Sequence, residues 1–247
     1  MKKHLFLLLC LYTSLHTYGQ KAYKLQSPDG NIQVSISLSD KIYYDVTYQQ
    51  DTLLKQCNLQ MELSNQELGN APKLAGVNKK SVDESLKPVI PLKYSTVANK
   101  YNQLLMKFKG DYSVEFRAFN DGIAYRFITN KKGMIEVNNE TFQVNFPENY
   151  LLHVQHPGGF KTAYEEEYKH IESKDWKSSD KMALLPILID THKDYKILIS
   201  ESDLADYPAL FLKSNGNNGM FSVFPKVPLE FGDDGDRSLK ILKEANY

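Results

Sequence analysis

Three consecutive glutamates are the first residues in this sequence whose chemistry stands out. Glu165, Glu166 and Glu167 lie between Tyr164 and Tyr168, shortly after a Pro-Gly-Gly turn. Carboxylate oxygens in a loop are the ligands that a hard cation such as calcium takes from a protein. A run of acidic residues is also typical of a solvated surface that binds nothing. On residue types alone, both interpretations stay open.

The other groups capable of chemistry are scattered. His153, His156, His170 and His192 show none of the close spacings of a zinc site, so we expect each on a surface or a strand. The sequence has no glycine-rich phosphate loop and no Gly-x-Ser-x-Gly nucleophile turn. Residues 201–204, Glu-Ser-Asp-Leu, form either a ligand-facing turn or a plain polar turn. We predict no catalytic and no cofactor-binding residue from these patterns.

The start of the chain has the pattern of a secretory signal peptide. Lys2 and Lys3 precede an apolar run over residues 5–12, which is shorter than the ~20 residues that cross a bilayer as a helix. Small residues just before Gln20 place the expected cleavage there. Residues 1–19 are therefore predicted to be a signal peptide, with a retained membrane anchor as the alternative. A cleaved product would be soluble and exported.

Charge and cysteine content narrow the possible partners. The sequence has 30 Lys and Arg against 30 Asp and Glu, and the predicted cleavage removes two lysines and no acid. Nucleic-acid binding needs a concentrated positive surface, so nucleic acid is not an expected partner. Cleavage would also remove Cys10 and leave Cys57, so no intrachain disulfide is expected even in an oxidising compartment.

Alternating apolar and polar residues predict several strands. Ile32, Val34, Ile36 and Leu38 alternate with polar residues, and a matching run over 42–48 follows a polar turn, which predicts an antiparallel hairpin. Further alternating runs, separated by glycine-containing turns or ended by a proline, lie at 104–108, 114–118, 123–127 and 142–146. A short strand is also predicted over 221–224.

Two later apolar runs, 184–189 and 195–200, alternate less and predict strands buried on both faces. Residues 165–181 are polar and predict a long loop. Frequent strands with turns between them, and no sustained helical periodicity, indicate an all-β fold, an antiparallel sandwich or barrel in one domain over 20–247. Residues 239–242 predict a strand whose partner or continuation is cut away, so we expect the domain to be truncated at its C-terminal end.

Four stretches, taken in order, resemble the N-terminal domain of glycoside hydrolase family 97. They are Ser-Pro-Asp-Gly at 27–30, Tyr-Asn-Gln-Leu at 101–104, Arg-Ala-Phe-Asn-Asp-Gly-Ile-Ala-Tyr-Arg-Phe at 117–127, and Glu-Ser-Asp-Leu-Ala-Asp-Tyr-Pro at 201–208. Gln103 departs from the glutamate of the family pattern. The third stretch is the most specific, and the resemblance as a whole extends over nearly all of the predicted mature chain.

The resemblance implies an antiparallel β-supersandwich, like that of galactose mutarotase. It also implies a part of an exported enzyme that cleaves α-glucosides or α-galactosides with a calcium ion at its active site, and we expect a periplasmic location. In the family a (β/α)₈ barrel follows this domain and carries the catalytic acid and the base or nucleophile. Glycoside hydrolysis needs two such carboxylates, and no strand–helix alternation occurs here. We therefore expect the chain to be inactive without the barrel, its expected partner.

One site residue follows from the resemblance. The family's supersandwich donates a glutamate to the calcium ion, three residues before a tyrosine, and Glu165 with Tyr168 matches that pattern. Glu166 and Glu167 are the alternatives if the register shifts. Calcium is thus an expected cofactor of the complete enzyme only.

Three functions remain open from the sequence. The first is a carbohydrate-facing domain that shapes the substrate site of such an enzyme and donates a calcium ligand. The second is a standalone carbohydrate-binding module without catalysis. The third is an enzyme of the mutarotase type, which would need a His and a Glu facing the sugar.

Overall fold

The computed structural model describes residues 22–205, 207–235 and 238–245. The predicted signal peptide lies outside the described residues. In these ranges the chain forms strands and no helix, and so no helix that could span a membrane. The predicted all-β, antiparallel supersandwich is confirmed, because every strand pairing is antiparallel.

Eighteen strands make up the described chain. In order they are β1 (Tyr23–Gln26), β2 (Ile32–Leu38), β3 (Ile42–Tyr48), β4 (Asp51–Leu63), β5 (Gln66–Leu68), β6 (Leu74–Leu86), β7 (Val97–Phe108), β8 (Tyr112–Phe119), β9 (Ile123–Thr129), β10 (Val137–Asn145), β11 (Leu151–Val154), β12 (Lys169–Glu172), β13 (Ile187–Asp190), β14 (Lys196–Ile199), β15 (Phe211–Ser214), β16 (Gly219–Val223), β17 (Pro228–Asp233) and β18 (Leu239–Glu244).

Two sheets form the main sandwich. The large sheet has the order β1-β2-β3-β4-β10-β16-β15, with β5 paired to β4. The facing sheet has the order β6-β7-β8-β9. The alternating runs read from the sequence are confirmed as strands, and their apolar residues form the buried layer. The rings of Tyr44 on the large sheet and Phe116 on the facing sheet lie 6.1 Å apart, and those of Phe142 and Tyr125 stack at 5.9 Å.

The third sheet, of order β12-β11-β13-β14, corrects two predictions. The run over 184–189 is not buried on both faces: Ile187 and Ile189 are fully buried, whereas Leu188 is 39% exposed. Leu198, which lies opposite Leu188 on β14, is 62% exposed. The apolar composition of residues 184–189 therefore does not mean that both faces of this sheet are covered. The polar stretch at 165–181 is also not all loop, because it contains β12.

The predicted strand near the C-terminus is confirmed as β18, but its partner is not missing. It pairs with β17, which the sequence did not reveal, in a two-stranded sheet we call the terminal hairpin. Phe231 lies opposite Ile241, and both are more than a third exposed. Within the described ranges neither strand pairs with a third, so both outer edges keep free backbone donors and acceptors.

We predict that the terminal hairpin makes the isolated chain associate. Replacing both Phe231 and Ile241 with lysine should shift the chain towards monomer, because charged side chains on exposed strands oppose intermolecular pairing. Light scattering over a concentration series measures this. Leu86→Lys, at an exposed leucine outside the hairpin, is the matched control and should leave the association unchanged. A wild-type chain that is monomeric at all concentrations contradicts the prediction.

Candidate functional site

The loop that carries Glu165 spans residues 155–168, between β11 and β12. Aromatic contacts hold it against the large sheet. The ring of Phe160 lies 5.0 Å from that of the buried Phe211, in an edge-on arrangement, and the ring of Tyr164 lies 6.0 Å away. The hydroxyl of Tyr164 also donates a hydrogen bond to the carbonyl of Phe160. The loop is therefore anchored through Phe160 and Tyr164, shortly before the acidic run.

The acidic run itself faces solvent. Glu165, Glu166 and Glu167 are all exposed. Tyr164, just before them, has a φ of 57°, a left-handed conformation that non-glycine residues seldom adopt. The side-chain amide of Gln155 donates a hydrogen bond to the carbonyl of Glu166. The backbone around Glu165 is thus held on both sides while its side chain stays exposed.

These residues fit one position of a calcium site and not a whole site. Calcium takes about six to eight oxygen ligands. Throughout the part of the chain that the structure describes, no group of three or more His, Cys, Asp or Glu side chains converges on a point where a metal ion could bind. Glu165 as a calcium ligand therefore stays a prediction that needs ligands from elsewhere.

A second cluster of acids and phenols joins the two main sheets. The carboxylate of Glu140, on β10, accepts hydrogen bonds from the hydroxyls of Tyr125, on β9, and Tyr207, each at 2.7 Å. Burial, with the nearby Glu140 charge as the second cause, raises the pKa of both phenols well above the usual value. Both oxygens of Glu140 are therefore occupied by neutral phenol donors.

Glu201 lies beside this cluster. Its two carboxylate oxygens accept a hydrogen bond from the backbone N–H of Leu210, at 2.9 and 3.1 Å. Partial burial raises the pKa of Glu201, the hydrogen bond from Leu210 opposes that rise, and the charge of Glu140 adds a smaller rise. The side chain of Glu201 thus binds the backbone of its own segment, which favours the interpretation of residues 201–204 as a plain polar connection over a ligand-facing one.

A buried acid lies two residues before the third of the resembling stretches and is contacted by two arginines of that stretch. Glu115, 5% exposed, accepts a hydrogen bond from Nε of Arg117 at 2.7 Å, and Nε of Arg126 lies 3.3 Å from the same oxygen. The guanidinium of Arg117 also lies 4.7 Å from the ring centre of Tyr101, in the second stretch. A buried carboxylate needs such partners, because leaving it unpaired costs about 3–5 kcal/mol.

The four stretches meet in space. The backbone N–H of Asp29, in the first, donates a hydrogen bond to the side chain of Asn120, in the third, at 3.1 Å. The ring of Tyr101, in the second, lies 5.0 Å from that of Phe119, in the third. Tyr125, in the third, and Tyr207, in the fourth, share Glu140. These contacts brace the sandwich, and Glu165 lies in none of the four stretches.

The histidines do not all stay apart. His153 and His170 lie directly opposite each other on β11 and β12, with their Nδ1 atoms 2.7 Å apart. His156 Nδ1 lies 2.9 Å from the carbonyl of Met182, and His192 Nε2 lies 3.6 Å from a Glu172 oxygen. Sequence spacing missed the first pair because only strand register brings its members together.

Neither of two surface clefts formed by the described residues contains Glu165 or the His192–Glu172 pair. One, of about 460 Å³, runs along β1 and is lined by lysines and amides, among them Lys24, Gln33 and Asn102. The other, of about 330 Å³, lies beside β10 and is lined in part by Phe221 and Phe224. The His and Glu that a mutarotase would need therefore do not meet in either cleft.

The packed antiparallel sheets, with braces between them, define a β-sandwich domain. The family model described as "Glycosyl-hydrolase 97 N-terminal" matches residues 25–235. The chain therefore belongs to glycoside hydrolase family 97, whose N-terminal domain it represents.

A curated relative supports the same assignment. The chain is 34% identical over 252 aligned positions to a retaining alpha-galactosidase of Bacteroides thetaiotaomicron. The alignment covers 98% of this chain and 38% of that relative. The chain thus spans well under half the length of that relative.

Solved structures share the fold. A variant of a glycoside hydrolase family 97 enzyme from Pseudoalteromonas sp. superposes with a TM-score of 0.71 at 23% identity, over 82% of this chain and 32% of the other. A beta-arabinopyranosidase superposes with a TM-score of 0.74 at 21% identity, over 88% and 37%. At these identities the likeness concerns the fold.

We predict that Tyr207→Phe lowers the free energy of unfolding by about 1–3 kcal/mol at neutral pH, because the Glu140 carboxylate loses a donor. Since the pKa of the Tyr207 phenol is raised in the folded state, its contribution is complete below about pH 10 and is lost as the pH rises further. The difference in the free energy of unfolding between the wild type and the Tyr207→Phe variant should therefore become smaller above about pH 10.

Urea unfolding at a series of pH values measures both effects. Tyr94→Phe, at a tyrosine that is 69% exposed, is the control and should match wild type at every pH. If the difference in the free energy of unfolding stays constant into the alkaline range, the hydrogen bond from Tyr207 to Glu140 does not stabilise the fold as proposed.

Proposed function

We propose that the chain is the substrate-site-supporting N-terminal domain of an exported hydrolase that acts on α-galactosides. Family membership and the 34% identity to a retaining alpha-galactosidase support this substrate class. An α-glucoside is the alternative, since related family 97 structures were solved with acarbose and with panose. The predicted signal peptide supports export, with a periplasmic location.

We propose further that Glu165 donates one oxygen to a calcium ion in the complete enzyme. The observation that carries this is the exposed Glu165 on a loop fixed by Phe160 and Tyr164, with its neighbours Glu166 and Glu167 adding negative charge. Calcium bound there would supply Lewis-acid polarisation of a sugar oxygen. The role of this chain is to hold the Glu165 backbone in place and to keep the carboxylate accessible.

The partner in this proposal is the catalytic barrel. Two exposed apolar regions of the chain suit an interface with it. Val89, Ile90 and Leu92, in the connection between β6 and β7, are at least 73% exposed, and Leu229 and Leu239 of the terminal hairpin are more than half exposed. Exposed apolar groups of this kind mark interaction surfaces, because burying them is favourable.

We predict that Glu165→Gln weakens calcium binding about tenfold or more. The test uses the alpha-galactosidase of Bacteroides thetaiotaomicron with its matching N-terminal domain replaced by residues 22–245 of this chain. The substitution keeps the shape of the side chain and removes the charge, so the fold should be unchanged. Calorimetric calcium titration gives the affinity, and thermal melting without calcium gives the stability.

The matched controls come from the same acidic run. Glu166→Gln and Glu167→Gln remove the same charge one and two residues further on, so they should change the affinity far less. An equal effect of all three would indicate general electrostatic attraction, and no effect of Glu165→Gln would contradict ligation. A larger effect of Glu166→Gln or Glu167→Gln would move the ligand along the chain.

A further inference from the structure

The pair of imidazoles on β11 and β12 forms a cluster that the proposed function does not use. His153 and His170 are register partners, and their rings meet edge to face with centroids 4.7 Å apart. Their Nδ1 atoms lie 2.7 Å apart, within hydrogen-bonding distance. One Nδ1 therefore carries a proton and the other offers its lone pair.

The pair is open to solvent. His170 is exposed and His153 is half-exposed. Leu188 lies on the other side of His153, as its partner on β13, and is 39% exposed. Among the ion pairs of the described residues, none involves either imidazole. A small solute can thus reach the two rings without displacing a charged partner, although it must part the hydrogen bond between their Nδ1 atoms.

We propose that His153 and His170 form a two-histidine chelate for a divalent late transition metal ion. Metal–imidazole bonds measure about 2.0–2.1 Å, so two bound nitrogens lie about 2.9 Å apart at a right angle and about 3.3 Å apart in a tetrahedron. The observed 2.7 Å is close to the right-angle value. Copper(II), which prefers tetragonal nitrogen and oxygen coordination and heads the affinity order, fits best. Water completes the shell.

Proton balance is simple at this site. In the neutral pair one imidazole holds its proton at Nδ1. On metal binding that proton moves to Nε2, both Nδ1 lone pairs turn to the ion, and no proton is released. Imidazole nitrogen suits copper, nickel and zinc, whereas calcium takes oxygen. The site is therefore chemically distinct from that proposed for Glu165.

The two histidines lie close to the two ends of the loop over 155–168. His153 is one residue from the end of β11, and His170 is the second residue of β12. The loop over 155–168 leaves from between these strands. A metal ion on both imidazoles would cross-link the base of that loop. The hydrogen bond between the rings does the same more weakly, since it is a single bond between exposed groups.

The test is copper(II) binding to the full chain produced without a histidine tag. Electron paramagnetic resonance should show one tight equivalent of copper with superhyperfine coupling to two nitrogens. His153→Gln and His170→Gln should each weaken that equivalent at least tenfold, the loss that even an indirect change to a metal site can cause. His192→Gln, at an exposed histidine outside the pair, should bind copper as the wild type does.

Each other result overturns the proposal. Coupling to one nitrogen, or equal copper affinity in the wild type and the His153→Gln and His170→Gln variants, would mean that the rings are joined by a hydrogen bond only. A loss in His192→Gln equal to that in His170→Gln would place the copper elsewhere. Circular dichroism shows whether each variant is folded. If one of the two histidine variants does not fold, the other, on a different strand, still tests the proposal.

Discussion

The carboxylate of Glu140 accepts hydrogen bonds from two phenols that come from different parts of the chain. Tyr125 belongs to the facing sheet, Glu140 to the large sheet, and Tyr207 to the segment before β15. A hydrogen bond to a charged group contributes about 1.5–3 kcal/mol. An exposed ion pair such as Lys100–Asp83 contributes about 0–1 kcal/mol. Contacts of the first kind therefore fix how the sheets sit on each other, once apolar burial has brought them together.

The residues that stabilise the domain differ from the residue with a proposed role in the active site. The stretches that resemble family 97 supply Tyr125, Tyr207 and the Arg117 that neutralises Glu115, all of them engaged inside the protein. The residue with a proposed role in the active site, Glu165, lies on an exposed loop outside those stretches. Its loop depends on the braced sandwich through Phe211, against which Phe160 and Tyr164 pack. The braces thus act on Glu165 through the loop and not by contact.

The sequence predicted what depends on local pattern. Strands buried on one face, such as β2 and β3, alternate and were predicted to the residue, whereas β6 is exposed over most of its length and has no alternation to read. The run containing Leu188 is apolar although one face is exposed, so its composition wrongly predicted a strand buried on both faces. Residue type and resemblance predicted Glu165, but nothing local reveals that His153 faces His170 or that Tyr125 and Tyr207 share Glu140. Those contacts are set by register and by how the sheets pack.

We propose that this chain supplies a cross-linked β-sandwich and one calcium oxygen to a complete enzyme, and that the catalytic carboxylates come from a barrel domain. The most direct measurement is turnover of aryl α-galactosides and α-glucosides by the purified chain alone, with calcium present. The account predicts no turnover above that of buffer, since glycoside hydrolysis needs two positioned carboxylates at the scissile bond. Turnover that survives purification, and that is lost on Glu201→Gln or Glu140→Gln, would contradict it.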